Sequence, residues 1–291
     1  MAVSNASESV VGTVQSLWRY PVKSMMGEAL SLAQVNAYGL QGDRVYAIVD
    51  GPDGKVATAK NPHKWPNLFG FHATLLHPSA EQTWIPSVRM TLPDGRMVSS
   101  DQESLNQILS QALNRPVTLA VTNGGQVSGV QSGMPESWTA QSEEYWPDIE
   151  GRDKRDTVTD FSLPPGTFFD SAMVHLLTTA TLNRLQEIYP QGRFAVQRFR
   201  PNLVVETEGE QRGFIENSWI GHTLNIGKEV QLKVTGSCGR CVMTTLAQGD
   251  LRKDPGILRT AVQHNQGHVG VYATVVRAGA IGCGDKVRLE A

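Results

Sequence analysis

The residues able to do chemistry gather in four short segments. Cys238-Gly-Arg-Cys241 follows the strand-like run VQLKVTG. A C-x-x-C spacing suits a redox dithiol, half of a zinc site, or a thiolate beside a cation, and two inert buried cysteines fit it as well. A thioredoxin-type dithiol belongs at a strand-to-helix junction in a βαβ unit. This one lies between strands near the C-terminus. Zinc needs two further ligands; Cys283, His264 and His268 are available, but their spacing matches no usual finger. Arg240 favours the charged form of a neighbouring thiol. A thiolate is the form that ligates a soft metal.

The other three segments supply cations and donors. YPVKS (20–24) puts Lys23 and Ser24 in a loop just after a strand. GDR (42–44) puts Arg44 at a strand start. RFRPN puts Arg198 and Arg200 before another strand, with Asn202 beside them. Each alone reads as a solvated cation. Together they are what an anion site needs, and the arginine fork suits phosphate. No glycine-rich phosphate loop or dinucleotide fingerprint is present, so an ordinary nucleotide site is not supported.

These residues must be held by strands. Residues 10–20 are rich in Val, Thr, Trp and Tyr and nearly alternate, as do LSLAQVNAYGL, FHATLL and VRMT. VYAIVD, Gly-Pro-Asp-Gly and KVATA read as a hairpin, and Pro93-Asp94-Gly95 as a second turn. One helix is expected at 101–113, capped by Asp101, with Leu105, Ile108, Leu109 and Ala112 on one face. Residues 9–122 thus form a strand-rich first half. Residues 123–168 have weak periodicity and read as a connecting segment. From 169 the pattern returns: MVHLL runs into a helix capped at Thr178 or Thr179 and stopped by Pro190. LVVE, HTLNIG, VQLKVTG, VGVYATVVRAG and KVRLE follow as strands, with a short helix at 255–265. The chain reads as a β-rich α+β protein with a few helices. His175 reads as a core histidine and Cys283 as packing.

Composition narrows the function. The chain has 291 residues, 28 glycines and 15 prolines, which suits many short elements joined by turns. Net charge is −2, which removes a whole-protein argument for nucleic acid. Three cysteines cannot build a disulfide scaffold, a four-cysteine zinc site or an all-cysteine iron–sulfur cluster. Redox electrons would have to come from another chain. No signal peptide, transit peptide or membrane span is recognisable, so a soluble protein of a reducing compartment, the cytoplasm, is expected.

VGTVQSLWRYPVKS, GLQGDRVYAIVD, RFRPNLVVE and CGRCVMTT, in this order, resemble the MOSC proteins, among them the mitochondrial amidoxime-reducing components and their bacterial relatives. The resemblance implies an N-terminal β-barrel-like domain followed by a MOSC β-barrel domain, with a molybdenum cofactor between them. It makes Cys241 the metal ligand and catalytic residue. It gives Lys23, Ser24, Arg44, Ser171, Arg200, Asn202 and Arg240 to the pterin and its phosphate. The implied activity is reduction of N-hydroxylated compounds, with electrons from a ferredoxin, a flavin reductase or a cytochrome b5-like protein. The alternative is a carrier that passes on the cofactor, or a sulfur held as a persulfide on Cys241. Cys238 is then a resolving thiol, a sulfur near the metal, or small core filling.

Overall fold

A computed structural model describes residues 8–76, 86–122, 127–129, 140–147, 156–209 and 211–290. Seven strands close into a barrel: β1 (Glu8–Arg19), β2 (Val174–Thr178), β3 (Leu203–Thr207), β4 (Thr223–Ile226), β5 (Val230–Gly239), β6 (His268–Arg277) and β7 (Lys286–Glu290). Their order is β3-β2-β6-β5-β4-β7-β1, and β1 pairs back onto β3. All pairings are antiparallel except β2 with β3. The barrel therefore draws strands from both ends of the chain.

The inward residues explain the closure. Leu176, Leu203, Val205, Leu224, Ile226, Leu232, Val234, Val271, Ala273 and Val287 form one core cluster. Val14 and Leu17 join it, although three positions apart on one strand. Strict alternation would put one of them outside. A register shift between Val14 and Ser16 turns both inward. Gly12 is needed where β1 crosses β3, since a Cβ there would lie 2.4 Å from the Glu206 carbonyl.

The rest of the first half packs around a second core. Val22, Met25, Ile48, Leu68, Phe71, Leu105, Leu109 and Leu119 belong to it, and so does Met243, from just beyond the C-x-x-C segment. Strand Tyr46–Asp50 pairs with Val117–Thr122, and Val88–Thr91 lies between His72–Leu75 and Met97–Ser99. Four helices complete the fold: α1 (Leu105–Leu113), α2 (Thr179–Ile188), α3 (Val196–Phe199) and α4 (Gly256–Asn265). The expected β-rich α+β class is the observed one.

Four local readings change. Asp101 does not cap α1; it accepts from Ser87 and Ser99, and the cap residue is Ser104. KVATA forms no second hairpin strand. It makes a single bridge, Val49 to Val56, and Val56 then pairs in parallel with Ser142, because its N–H donates to the Gln141 carbonyl. Inside the connecting segment, Gln141–Trp146 pairs with Thr157–Ser162. The second of these strands is exposed at nearly every position, so its sequence carries no alternation. Cys283 is exposed, with Sγ 3.4 Å from the Leu30 carbonyl, and is not core packing. The Gly124-Gly125 pair, Trp138 and most of the charged run 150–156 lie outside the described residues.

Candidate functional site

A cavity of about 480 Å³ is lined by all eight residues that the family resemblance assigns to the cofactor site: Lys23, Ser24, Arg44, Ser171, Arg200, Asn202, Arg240 and Cys241. Their elements explain the convergence. After β1 the chain runs beside residues 44–46: Arg44 N–H donates to the Tyr20 carbonyl and Lys23 N–H to the Tyr46 carbonyl, each at 2.8 Å. Lys23, Ser24 and Arg44 thus share one edge. Asn202 binds this edge to the barrel. Its Nδ2 donates to Asp43 (2.9 Å) and to the Trp18 carbonyl (3.3 Å), and its Oδ1 accepts from His175 N–H (3.1 Å). The Asn202 amide is spent on the frame.

Backbone strain concentrates here. Among the described residues five non-glycine positions have positive φ: Ser24, Arg44, Asn114, Arg200 and Gln266. All but Asn114 line the cavity. Left-handed backbone costs a residue with a Cβ about 1–2 kcal/mol, so the surrounding structure must enforce it. Arg200 ends α3 in this conformation, which separates it from Arg198. Arg198 does not line the cavity. It is buried and donates to the carbonyls of Arg193, Thr244, Leu246 and Arg252, pinning the segment after Cys241.

The cavity wall is strongly cationic. Lys23, Lys60, Arg44, Arg200 and Arg240 all line it. Asp170 pairs with Lys23 (2.5 Å) and Lys60 (3.5 Å), Glu144 with Lys60 (3.1 Å), and Asp43 with Arg44. Among the described residues Arg200 and Arg240 have no carboxylate partner. Burial holds the Lys23 ammonium down at about 8 despite Asp170. Arg200 is pushed down to about 10 by burial and by Arg44. The Asp170 carboxyl lies well below the usual carboxylate range; burial opposes this, but Lys23 and Lys60 outweigh it. Tyr20 lies between the arginines, with Arg200 4.2 Å and Arg44 5.0 Å from its ring centroid.

The two cysteines differ. Cys241 is half-buried, packs against the N-terminal core, and has its thiol pushed up by burial, with Lys60 opposing. Cys238 is buried, and Arg240 Nη1 sits 2.7 Å from its sulfur. Burial opposes ionisation of Cys238, but Arg240 and His175 outweigh it and bring the thiol to about 6. Arg240 thus acts on Cys238 more than on Cys241. His175 is buried with its Nε2 3.1 Å from the Val269 carbonyl, and it also lines the cavity. Gly270 makes room for it: at φ +83, a Cβ there would lie 2.3 Å from His175 Nε2.

Ser171 is exposed on the rim, next to Ala172. His264 ends α4 and His268 starts β6, so they share no helix. No group of three or more His, Cys, Asp or Glu able to hold a metal exists among the described residues. No described helix is long and apolar enough to cross a membrane. Lys60, Tyr20 and Asp43 were not legible as site residues. Asp43 adjoins Arg44 in the same motif, which is the one signal available for it.

Comparison with known proteins follows this geometry. Residues 11–84 match the MOSC N-terminal beta barrel domain and residues 164–288 match the MOSC domain. The chain is 25% identical to the mitochondrial amidoxime-reducing component 1 of Mus musculus, over 81% of this chain and 66% of that protein. It is 26% identical to the mitochondrial amidoxime reducing component 2 of Bos taurus, over 95% of this chain and 83% of that one. The solved YUAD protein from Bacillus subtilis is 11% identical, with a TM-score of 0.47 over 97% of both chains. The chain is a MOSC-domain protein, with a MOSC N-terminal beta barrel domain ahead of the MOSC domain.

Proposed function

We propose that this protein is a molybdenum-cofactor-dependent reductase of N-hydroxylated compounds such as hydroxylamines, amidoximes and N-hydroxylated bases. The names of its relatives and the composition of the cavity support the reading. The observation that carries it is the meeting, in one cavity, of the Cys241 thiol with two cations that lack carboxylate partners. One buried donor, Arg240 Nε, has no partner among the described residues. A soft sulfur ligand beside arginines that lack carboxylate partners suits a group that joins a metal to a phosphate.

In this reading Cys241 ligates the metal, and Lys23, Ser24, Arg44, Ser171, Arg200 and Arg240 hold the pterin and its phosphate. Asn202 keeps the frame in register. The cofactor, when bound, supplies the electron-pair and oxygen-atom chemistry; the protein supplies binding, orientation and electrostatics. Arg200 and Arg240 meet the phosphate without first breaking an ion pair to a carboxylate. Asp170 keeps the Lys23 and Lys60 ammonium groups charged at the cavity wall. Burial favours the protonated Cys241 thiol, which would have to give up that proton to act as a ligand. The electrons come from a separate donor protein, a ferredoxin, flavin reductase or cytochrome b5-like protein. A cytoplasmic setting suits the three free cysteines.

The test is to purify the protein from a host that makes the cofactor, measure bound molybdenum, and assay hydroxylamine reduction with an artificial electron donor. Metal near one per chain, turnover, and loss of both in Cys241→Ala are expected. Bound metal without turnover moves the reading to a cofactor carrier, and absence of metal overturns it.

A further inference from the structure

Arg240 occupies an unusual environment. Its guanidinium lies against the cavity, yet no carboxylate among the described residues faces it. Nη2 donates to the Phe199 carbonyl at 2.9 Å, and Nη1 donates to Cys238 Sγ at 2.7 Å. Nε is buried without a partner. Three elements face the sulfur: Arg240 from the end of β5, His175 from β2 and Tyr272 from β6. The last two both favour its charged form. A sulfur ringed by a guanidinium, an imidazole and a phenol is surrounded by groups that stabilise an anion.

Two roles are open to such a thiolate, nucleophile or counter-ion. Burial decides between them. Reactive cysteines are partly exposed as well as electropositive, and Cys238 is only 1% exposed. We propose that Cys238 is the counter-ion of Arg240, a buried thiolate that fixes the guanidinium so that its remaining donor, Nε–H, serves an anionic ligand in the cavity. Cys238 is then a positioning residue for Arg240.

The assignment explains two facts together. A buried guanidinium without a carboxylate is costly unless some anion compensates it, and the sulfur supplies that charge. An unpartnered buried N–H is also costly, and a bound anion would satisfy it. The proposal rests on the cavity being an anion site, as the proposed function requires. The ionisation of Cys238 can nevertheless be read without any ligand.

The test uses the full chain freed of cofactor. Thiolate ultraviolet absorbance, followed from about pH 5 to pH 9, should show one thiol ionising with a midpoint near 6. The step should vanish in Cys238→Ser. In Arg240→Gln, which leaves the sulfur in place, it should move toward the ordinary thiol value of about 8.5. In nitrogen-15-labelled protein the Arg240 Nε–H resonance, identified by its loss in Arg240→Gln, should be sharp. It should broaden in Cys238→Ala and return in Cys238→Asp, which restores the charge. An absent low-pH step, or a step that survives Cys238→Ser, overturns the proposal. So does an Nε–H signal indifferent to Cys238→Ala. Failure of the molybdenum assay leaves these outcomes untouched, so the two readings fail separately.

Discussion

The guanidinium of Arg200 lies 4.2 Å from the centroid of the Tyr20 ring, and the phenol oxygen of that ring is buried with no hydrogen-bond partner. The face of Tyr20 therefore stabilises the site while its hydroxyl does not. A desolvated cation–π contact is worth about 2 kcal/mol, and an unsatisfied buried hydroxyl costs about 1–3 kcal/mol. Tyr20→Phe should keep or raise the denaturation midpoint. Tyr20→Leu should lower stability by about 2 kcal/mol and, on the proposed function, weaken retention of molybdenum. Urea melts with metal analysis separate the two. Equal loss in both variants would place the contribution in the hydroxyl.

Glu216 carries a titration far from the cavity. Its Oε2 accepts from Thr178 (2.6 Å) and Thr181 (2.7 Å), while Oε1 is buried and unpartnered. Burial raises its carboxyl, against the two threonines. A folded value above the unfolded one means the native state binds more protons. The contribution is fully present below about pH 4.5 and is lost as pH rises through the folded value. Glu216→Gln should remove that slope and be the more stable form at neutral pH. Thermal melts across the range check the sign, and a slope unchanged by the substitution would reject this account.

Asp170 and Lys23 form the converse case. Removing the carboxylate in Asp170→Asn leaves burial unopposed at Lys23, so its ammonium should fall below about 8. Lysine-directed acylation, mapped by peptide mass spectrometry, should find Lys23 reacting at lower pH in the variant. The stability from Asp170 is present above the ordinary carboxylate value and is lost as pH falls through its depressed one. The charged form of Lys23 costs stability below about pH 8, and that cost is relieved toward 10.5. Asp170→Asn should therefore flatten the acid limb of the stability curve.

Arg198→Lys tests the pin behind the cysteine segment. A lysine cannot span the carbonyls of Thr244, Leu246 and Arg252. Hydrogen bonds to a charged donor are worth about 1.5–3 kcal/mol each, so a loss of about 3 kcal/mol or more is expected. Hydrogen exchange should quicken over residues 241–252 and leave the strand pair β4–β5 protected. Uniform quickening would mean global destabilisation instead.

The site was legible wherever chemistry sat in a short motif. Cys241, Lys23, Arg44, Arg200 and Arg240 each stand in a run whose composition signals a strand end with a functional group. The hub that joins those runs was not. Asp43 binds Tyr20 N–H, 23 positions away, and Asn202, 159 positions away. No local pattern encodes partners at such separations. The hidden hairpin at 141–162 escaped because its outer strand is solvated on both faces. Arg198 and Arg200 look alike in sequence, and the left-handed turn at Arg200 sends them to opposite tasks.

The pairing of β1 with β7 has a consequence for the order of biosynthesis. Glu8 is aligned with Glu290 and Thr13 with Lys286, so one edge of β1 waits for β7 to be made. At about 5–20 residues per second, that edge stays open while all the residues between the two strands are made, a template for wrong pairing. The wall that carries Lys23 and Ser24 hangs from β1. A ligand that needs this wall meets it complete only after β7 has emerged and paired with β1.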